Sequence, residues 1–363
     1  MTSQPTNDPK QTNRAQPNGA AAPQEDTANR QALKEVQIKR LQGQKEHVGA
    51  AKRRAPATLP NDQPDTATMD AVPPIEGILS PQLGTLYERR LAQFKKLALE
   101  AGETNGGPYL GFLAVLTAAQ RNLLQTAPLP AGAMATMQAW LNMERMPNAA
   151  ELAAATFWQV LFKRLVMDVS PLLTPEHAQR LHDLAADRAA LSQQAASLLA
   201  GDFLSVDGAV SAPLWAALSL AWAQGAQRLL ADENAREART KTPSVACPAC
   251  GGLPTGSLLM GGKREGLRYQ HCALCETRWH RVRSVCTQCG DGQSMDYWSV
   301  DDREAPMEVE SCGQCQTYVK VFRLDRAPDL EPVASDFASL MLDDAVGREG
   351  FTRATVNPYA LPV

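Results

Sequence analysis

The chain has 363 residues, of which 44 % are hydrophobic and 21 % are charged, and its net charge is −3 at neutral pH. This length allows about two or three domains and excludes a miniprotein held together by disulfides. The weak net charge excludes a global polycationic attraction to nucleic acid. No segment approaches the ~20 apolar residues that span a membrane, and the first residues lack the apolar core of a secretory signal. We therefore predict a cytoplasmic protein without membrane insertion.

Residues 1–75 differ in composition from the rest of the chain. They contain no aromatic residue and are rich in Gln, Asn, Pro, Thr and Ala. Such a segment buries too little apolar surface to offset the entropy of ordering the chain. We predict a disordered tail, within which residues 30–54 could form a transient helix.

Amphipathic runs at helical spacing fill the next segment and predict an all-helical domain. Ser80-Pro81 is typical of a helix start, and glycine and proline clusters separate the later runs. The predicted helices cover residues 81–99, 108–126, 132–143, 151–168, 175–200 and 209–234. We expect their tryptophans to pack in the core, and we assign His177 and His182 to structure or solvent because five-residue spacing does not stack them on one face.

All eight cysteines lie in four Cys-x-x-Cys pairs in the C-terminal half. The first and third pairs are 39 positions apart and the second and fourth are 40 apart, which indicates an internal duplication. In a reducing cytosol such clustering favours metal over disulfides, and each pair can supply two corners of a tetrahedral site. The first predicted site is Cys247, Cys250, Cys272 and Cys275. The second is Cys286, Cys289, Cys312 and Cys315.

Each predicted site consists of two turns, called knuckles here, that present the sulfurs. Gly251 and Gly290 follow the first knuckle of each site, where positive φ lets backbone amides turn toward a thiolate. Glu276 and Gln316 stand at the corresponding place in the second knuckles, which must close without glycine. Alternating stretches between the pairs, at 266–271, 307–311 and 318–323, predict short strands in hairpins.

Several alternatives stay open from the residues alone. Four thiolates suit zinc, mononuclear iron or an iron–sulfur cluster. A cross-braced pairing of the knuckles would break the repeat, and His271 and His280 have no required place beside four thiolates. Residues 244–326 carry ten basic and ten acidic residues, and metal-bound thiolates add negative charge. This disfavours nucleic acid as a partner, although the basic run 263–283 keeps that alternative open.

Motifs around the cysteines carry a family resemblance. They are GLRYQHCALCETRWHRVR at 266–283, Tyr297-Trp298-Ser299, ESCGQCQTYVK at 310–320 and a terminal Asn357-Pro358-Tyr359. These motifs resemble the formate dehydrogenase accessory protein family, FdhE. Looser similarity at 213–224 and 334–343 extends the resemblance over roughly residues 80–363.

The resemblance implies a cytoplasmic maturation factor that binds the catalytic subunit of respiratory, molybdenum-containing formate dehydrogenase. It also implies two mononuclear rubredoxin-like sites associated with iron, for which zinc would be the substitute. All eight cysteines match the family's knuckle ligands. No catalytic residue set comes with it, and the sequence shows no nucleophile motif or phosphate loop. We therefore predict a protein that is not an enzyme, and homodimer formation stays open. The competing functions are a nucleic-acid-binding zinc-ribbon protein and a small iron redox carrier.

The predicted fold is multidomain, α plus small β, with an all-helical domain followed by two tandem rubredoxin-like or zinc-ribbon four-cysteine modules. The predicted segments are a tail (1–75), the helical domain (76–240), the first module (244–284), the second module (285–328) and a C-terminal helix and tail (329–363).

Overall fold

The computed structural model of the chain describes residues 38–41, 74–103, 106–143, 145–240, 244–300 and 304–360, the first range as backbone alone. Within these ranges nine α-helices precede the cysteine-rich segment. They are α1 Leu83–Ala101, α2 Gly107–Thr126, α3 Ala131–Leu141, α4 Ala149–Ala154, α5 Phe157–Val169, α6 Pro175–Ala186, α7 Arg188–Ala200, α8 Gly208–Leu229 and α9 Glu233–Arg239. The predicted helical segment is confirmed. None of the described helices is long and apolar enough to cross a membrane.

Three of the predicted helices are divided in the structure, giving α4 and α5, α6 and α7, and α8 and α9. Asp187 starts α7, because its carboxylate accepts the amides of Ala189 and Ala190 at 2.9 and 3.0 Å. Asp232 starts α9 in the same way. A side-chain cap satisfies the first free amides of a helix, so an aspartate can begin a new helix inside a continuous apolar pattern. Periodicity alone does not register such a break.

Helix α1 begins later than the Ser80-Pro81 dipeptide indicates. The preceding residues, Ile78–Leu79, form a short strand. The Ser80 hydroxyl donates to the carbonyl of Gln227 on α8 at 3.4 Å and does not cap α1. The entry of the chain into the helical part is therefore set by tertiary contacts.

Helix α8 is the central element of the helical part and is buried along most of its length. Trp222 on α8 stacks on Trp140 of α3, with ring centroids 5.0 Å apart. Trp158 and Trp215 are also buried, so the predicted core role of the tryptophans is confirmed. The histidines of α6, by contrast, are exposed to solvent.

The strands that the structure describes form one sheet. They are β1 Ile38–Leu41, β2 Ile78–Leu79, β3 Pro254–Leu259, β4 Arg268–Cys272, β5 Arg278–Arg281, β6 Met295–Val300, β7 Met307–Cys312, β8 Thr317–Arg323 and β9 Thr352–Arg353. Their order is β1-β6-β7-β8-β3-β4-β5-β2, and β9 also pairs with β8. The predicted hairpins are present, one as β3–β5 and the other as β6–β8.

The two cysteine modules join edge to edge, which the sequence did not predict. The last strand of the second module, β8, pairs in parallel with the first strand of the first module, β3, from Ser257↔Val321 to Leu259↔Arg323. Leu258, Phe322 and Leu324 form a small core at this junction. The two copies of the repeat therefore share one sheet. The five predicted segment boundaries stay predictions.

Residues 38–41 correct part of the expectation for the tail. There the backbone forms β1, which pairs antiparallel with β6 from Ile38↔Val300 to Leu41↔Tyr297. The sequence favoured disorder or a transient helix over these residues, because local composition carries no information about a distant strand edge. The rest of residues 1–73 lies outside the described residues.

The C-terminal helix predicted within residues 329–363 is divided into two short α-helices, α10 Pro332–Ser335 and α11 Leu340–Arg348, which are separated by a 3₁₀ turn. Asp336 begins that turn, and its buried carboxylate lies 2.8 Å from both Lys320 and Arg353. These ion pairs hold the turn against the sheet. The tail beyond it also packs inward, since Asn357 donates to the carbonyl of Val333 at 2.8 Å.

Gly256 on β3 lies at the junction between the modules, and substituting it tests how tightly that junction is packed. A Cβ atom there would lie 2.7 Å from the Phe322 ring and 2.9 Å from the backbone oxygen of Lys320. We expect Gly256→Ala to lower the free energy of unfolding by about 1–3 kcal/mol, because the clash is with backbone. Gly111→Ala on α2 is the control, since that Cβ meets nothing within 4 Å, and it should stabilise the chain by about 0.5–1 kcal/mol. Urea denaturation measures both; equal effects would contradict the packed junction.

Candidate metal centres

The structure gathers the first two cysteine pairs into one cluster. The sulfurs of Cys247 and Cys275 are 3.6 Å apart, those of Cys250 and Cys272 are 3.5 Å apart, and all four lie within 4.8 Å of one another. Four sulfurs bound at ~2.3 Å to a tetrahedral ion would be about 3.8 Å apart, whereas a disulfide needs about 2.0 Å. The arrangement fits a metal ion and leaves the thiols unbridged.

The last two pairs form a second cluster with the same geometry. The sulfur of Cys286 lies 3.6 Å from that of Cys315, and Cys289 lies 3.7 Å from Cys312. Pairs one and two therefore converge, as do pairs three and four, and the cross-braced arrangement is not the one observed. Below, the two clusters are called the first set and the second set. Either set could hold a metal ion.

The knuckles close as the repeat requires. Gly251 and Gly290 have φ values of 76° and 81°, and Glu276 and Gln316 have 61° and 56°. The second knuckles thus use the left-handed conformation with non-glycine residues, which carry a steric penalty there. Backbone amides in this knuckle point at sulfur; the Cys275 amide, for example, donates to the Cys272 sulfur at 3.4 Å. Such hydrogen bonds stabilise a thiolate and therefore a metal ligand.

Each second knuckle also has a threonine beside its last sulfur. Thr277 Oγ1 lies 3.2 Å from the Cys275 sulfur, and Thr317 Oγ1 lies 3.1 Å from the Cys315 sulfur. Desolvation raises the pKa of Cys315, but hydrogen bonds with Thr317 and the neighbouring thiols lower it to about 7, while burial raises the pKa of Cys312 in the same set to about 12. Because a metal binds the thiolate, a lowered pKa favours ligation.

The first set is buried against the helices. All four of its cysteines belong to the same hydrophobic core as α1 to α8, and the exposed fraction of Cys272 is 0 %. The Trp215 indole on α8 donates to the carbonyl of Ala273 at 3.3 Å, between the two cysteines of the second knuckle. The first set is therefore part of the main core.

A buried ion-pair cluster ties this same knuckle to α1. Arg90 donates to both carboxylate oxygens of Glu276 at 2.8 Å and to Glu331 at 2.8 Å. His271 Nε2 lies 2.7 Å from Oε2 of Glu276, the oxygen that also accepts from Arg90 Nη2. The structure thus places His271 beside the ligand set and not within it. His280 lies against the ring of Tyr269, with centroids 5.6 Å apart.

Sequence reasoning missed this cluster as a unit. Its one local signal was Glu276 itself, an acidic residue where the knuckle pattern has glycine. Desolvation raises the pKa of Glu276, but the Arg90 charge and the hydrogen bond with His271 outweigh it and bring the pKa to about 2. Glu276, Glu331 and His271 are also potential metal ligands. Arg90 occupies the space between the carboxylates, so the cluster is an ion-pair network.

The second set has a different environment. Cys289 is exposed and Cys315 is half-buried. Gln316, which corresponds to Glu276, is exposed and donates to the carbonyl of Gly313 in its own turn at 2.6 Å. Asp291 closes the first knuckle through a 2.7 Å bond from the Cys286 amide to its carbonyl, as Gly252 does in the first set at 2.8 Å. The two sets therefore have equivalent backbone contacts, but the cysteines of the first set are buried and Cys289 of the second is exposed.

A cleft of about 320 Å³ opens where the helical part meets both modules. Arg239 of α9, Arg281 of β5 and Cys286 of the second set line it. Arg281 is held in place, because it donates to the carbonyls of Ser244 and Thr287 at 3.2 and 3.0 Å. Two cationic side chains thus line the same cleft as Cys286.

Comparison with known proteins adds the family. Three family models match in succession: "FdhE, N-terminal" over residues 75–239, "FdhE, central domain" over 246–283 and "FdhE, C-terminal domain" over 285–360. The chain belongs to the FdhE family. A protein FdhE homolog of Cronobacter sakazakii is 36 % identical over 84 % of this chain and 97 % of its own length. Protein FdhE of Salmonella paratyphi B is 35 % identical with the same coverage.

A solved FdhE structure agrees with this assignment. The crystal structure of the FdhE protein from Pseudomonas aeruginosa matches with a TM-score of 0.65 and 27 % identity, covering 79 % of this chain and 99 % of that one. The predicted family and the predicted fold, helices followed by two four-cysteine modules, are confirmed. In this chain the central-domain match contains the first set and the C-terminal match contains the second.

Proposed function

We propose that this chain is an accessory factor for the maturation of respiratory, molybdenum-containing formate dehydrogenase. It acts in the cytoplasm, binds the catalytic subunit of that enzyme and performs no catalysis of its own. The observation that carries the proposal is the match to FdhE relatives over nearly their full length, in a chain whose eight cysteines converge into two tetrahedral sets.

Each set holds one metal ion in this proposal, as in rubredoxin-like sites. The ligands are the four sulfurs of the first set and the four of the second. Iron is the proposed ion and zinc the substitute, because four thiolates in a tetrahedron suit both. When bound, the ion crosslinks two knuckles that are distant in sequence, and iron would add a one-electron couple. The chain's own residues contribute thiolates, amide hydrogen bonds and the threonine hydroxyls that orient the last ligand.

In this proposal the dehydrogenase binds a surface to which both the modules and the helical part contribute. The modules share one sheet and stand beside the helical part, so a partner can contact helix and metal module together. The metals then serve to fix the shape of that surface, since structural four-cysteine sites contribute folding energy directly.

The test is a capture experiment with the tagged full chain from its own host under low oxygen, followed by proteomics and metal analysis. We expect the formate dehydrogenase catalytic subunit to be enriched. Cys289→Ser should reduce that enrichment about tenfold or more, because it removes a ligand of the metal that orders the second set. Glu176→Gln, an exposed change on α6, is the control and should leave it unchanged. Circular dichroism checks that each variant is folded.

Three outcomes would contradict the proposal. A folded, metal-loaded chain that captures no dehydrogenase subunit removes the assembly function. Nucleic acid in the eluate, lost steeply with added salt, would favour the zinc-ribbon alternative. Reversible bleaching of a ferric-thiolate chromophore without any partner would favour a redox carrier.

A further inference from the structure

We propose that the two metal sites differ in lability: the second set is an exchange site that yields its metal to an incoming thiolate, and the first set is a locked structural site. This inference rests on the proposed metal binding by both sets. It goes beyond that binding because it assigns the two copies of one repeat different chemical roles.

The starting observation is that the two sets are near copies. Their opposed sulfurs have the same separations within 0.2 Å, from 3.5 to 3.7 Å. Both second knuckles use a left-handed non-glycine residue followed by a threonine at the sulfur. Ligand type and ligand geometry therefore do not distinguish the sets. A difference in reactivity must come from what surrounds them.

Exposure is the first difference. A Cβ atom at Gly252 would lie 3.3 Å from the Cys250 sulfur and 3.4 Å from the Cys272 sulfur, so backbone covers the first set directly. All four of its cysteines are buried. In the second set Cys289 is exposed and Cys315 is half-buried. An incoming ligand can therefore reach the second set on the Cys289 side.

Anchoring is the second difference. The left-handed residue of the first set, Glu276, accepts two hydrogen bonds from Arg90 on α1 at 2.8 Å. Its counterpart, Gln316, donates to Gly313 within the same turn. The second knuckle of the first set, which Glu276 follows, can open only if buried ion pairs and helix packing break at the same time. The second knuckle of the second set is held by backbone hydrogen bonds, from the Thr352 amide to the Gln316 carbonyl at 2.9 Å and from the Gly313 amide to the Ser294 carbonyl at 2.8 Å, and its left-handed residue has no buried ion pair. Its local opening therefore costs less than opening a core.

These differences matter because thiolate exchange at a metal needs an approach path. In such an exchange the incoming thiol would lose its proton and take the place of the Cys289 sulfur, which would gain a proton in return. One sulfur ligand would replace another, so no oxidant or reductant would be involved. Arg281 at the neighbouring cleft adds positive charge that favours an anionic acceptor. At the first set the same step has no approach path until the knuckle unpacks.

The experiment uses the full chain loaded with two zinc ions and an excess of the dithiol dimercaptopropanesulfonate. Native mass spectrometry counts the ions left on the chain over time. We expect a one-zinc species to accumulate, with the second ion leaving about tenfold more slowly or slower still, as a site inside a cooperative core should. Iodoacetamide added at that stage should label Cys289 and Cys315 and leave the first set unlabelled.

A variant gives an independent measurement. Cys289→Ser should remove the fast zinc and leave the slow one with its rate unchanged. Loss of both ions at one rate, or labelling of Cys250 or Cys272 in the one-zinc species, would overturn the proposal. A chain that cannot be loaded beyond one zinc would overturn the metal-binding proposal itself and this inference with it, so the two failures are distinguishable.

Discussion

Replacing Arg90 with methionine should lower the free energy of unfolding by about 3–5 kcal/mol, the range for removing one partner of a buried charge pair. Arg90 is fully buried and bonds to two carboxylates, those of Glu276 and Glu331. Arg90→Met leaves both carboxylates without their cation in the core. The midpoint of urea denaturation, followed by circular dichroism, measures the loss.

A matched control lies on the same helix. Lys96 pairs with Glu100 at 3.8 Å, and both side chains are more than half exposed. Lys96→Met should change stability by less than about 0.5 kcal/mol, because exposed pairs contribute little. Adding Glu276→Gln to Arg90→Met should restore part of the loss, since one unpaired charge is removed. Equal midpoints for Arg90→Met and Lys96→Met would show that the cluster does not hold the knuckle to α1.

Serine substitutions in the two sets should have very different effects. Cys272 belongs to the first set and to the main core, whereas Cys312, its counterpart 40 positions later, belongs to the second set outside that core. A structural metal in four thiolates can contribute on the order of 10 kcal/mol of binding energy to folding. We therefore expect Cys272→Ser to abolish cooperative folding of the helices with the module.

Cys312→Ser should release only the second metal and leave the helical part folded. Thermal melting followed by far-ultraviolet circular dichroism distinguishes the two variants, and the tryptophan near-ultraviolet signal reports on the helical core. Retention of the wild-type melting curve by Cys272→Ser would contradict a folding role for the first set. Loss of the helical transition in Cys312→Ser would contradict the claim that the second set lies outside the main core and that the helices fold without it.

The cysteine sets could be predicted from the sequence because the ligand spacing that a metal site needs is visible in a few consecutive residues. Two ligands in Cys-x-x-Cys spacing fit one turn, and the offsets of 39 and 40 residues identify the repeat. The helical segment was predictable for the same reason, since an amphipathic period is visible within each helix.

The environment of each set could not be predicted in this way. Arg90 and Glu276 are 186 positions apart, and no local pattern connects them. The parallel pairing of β3 with β8 likewise depends on edges that are complete only once both hairpins exist. Glu276 in place of glycine was the one local hint that the two copies differ. Its meaning depends on the helix packed against it.

The most direct test of the account is the number of metal ions per chain, counted by native mass spectrometry on protein purified without oxygen. The central claim is that each four-cysteine set holds one ion. The account predicts two ions on the wild-type chain and one on folded Cys312→Ser. Fewer than two ions on the wild type, or two ions retained by Cys312→Ser, would contradict it.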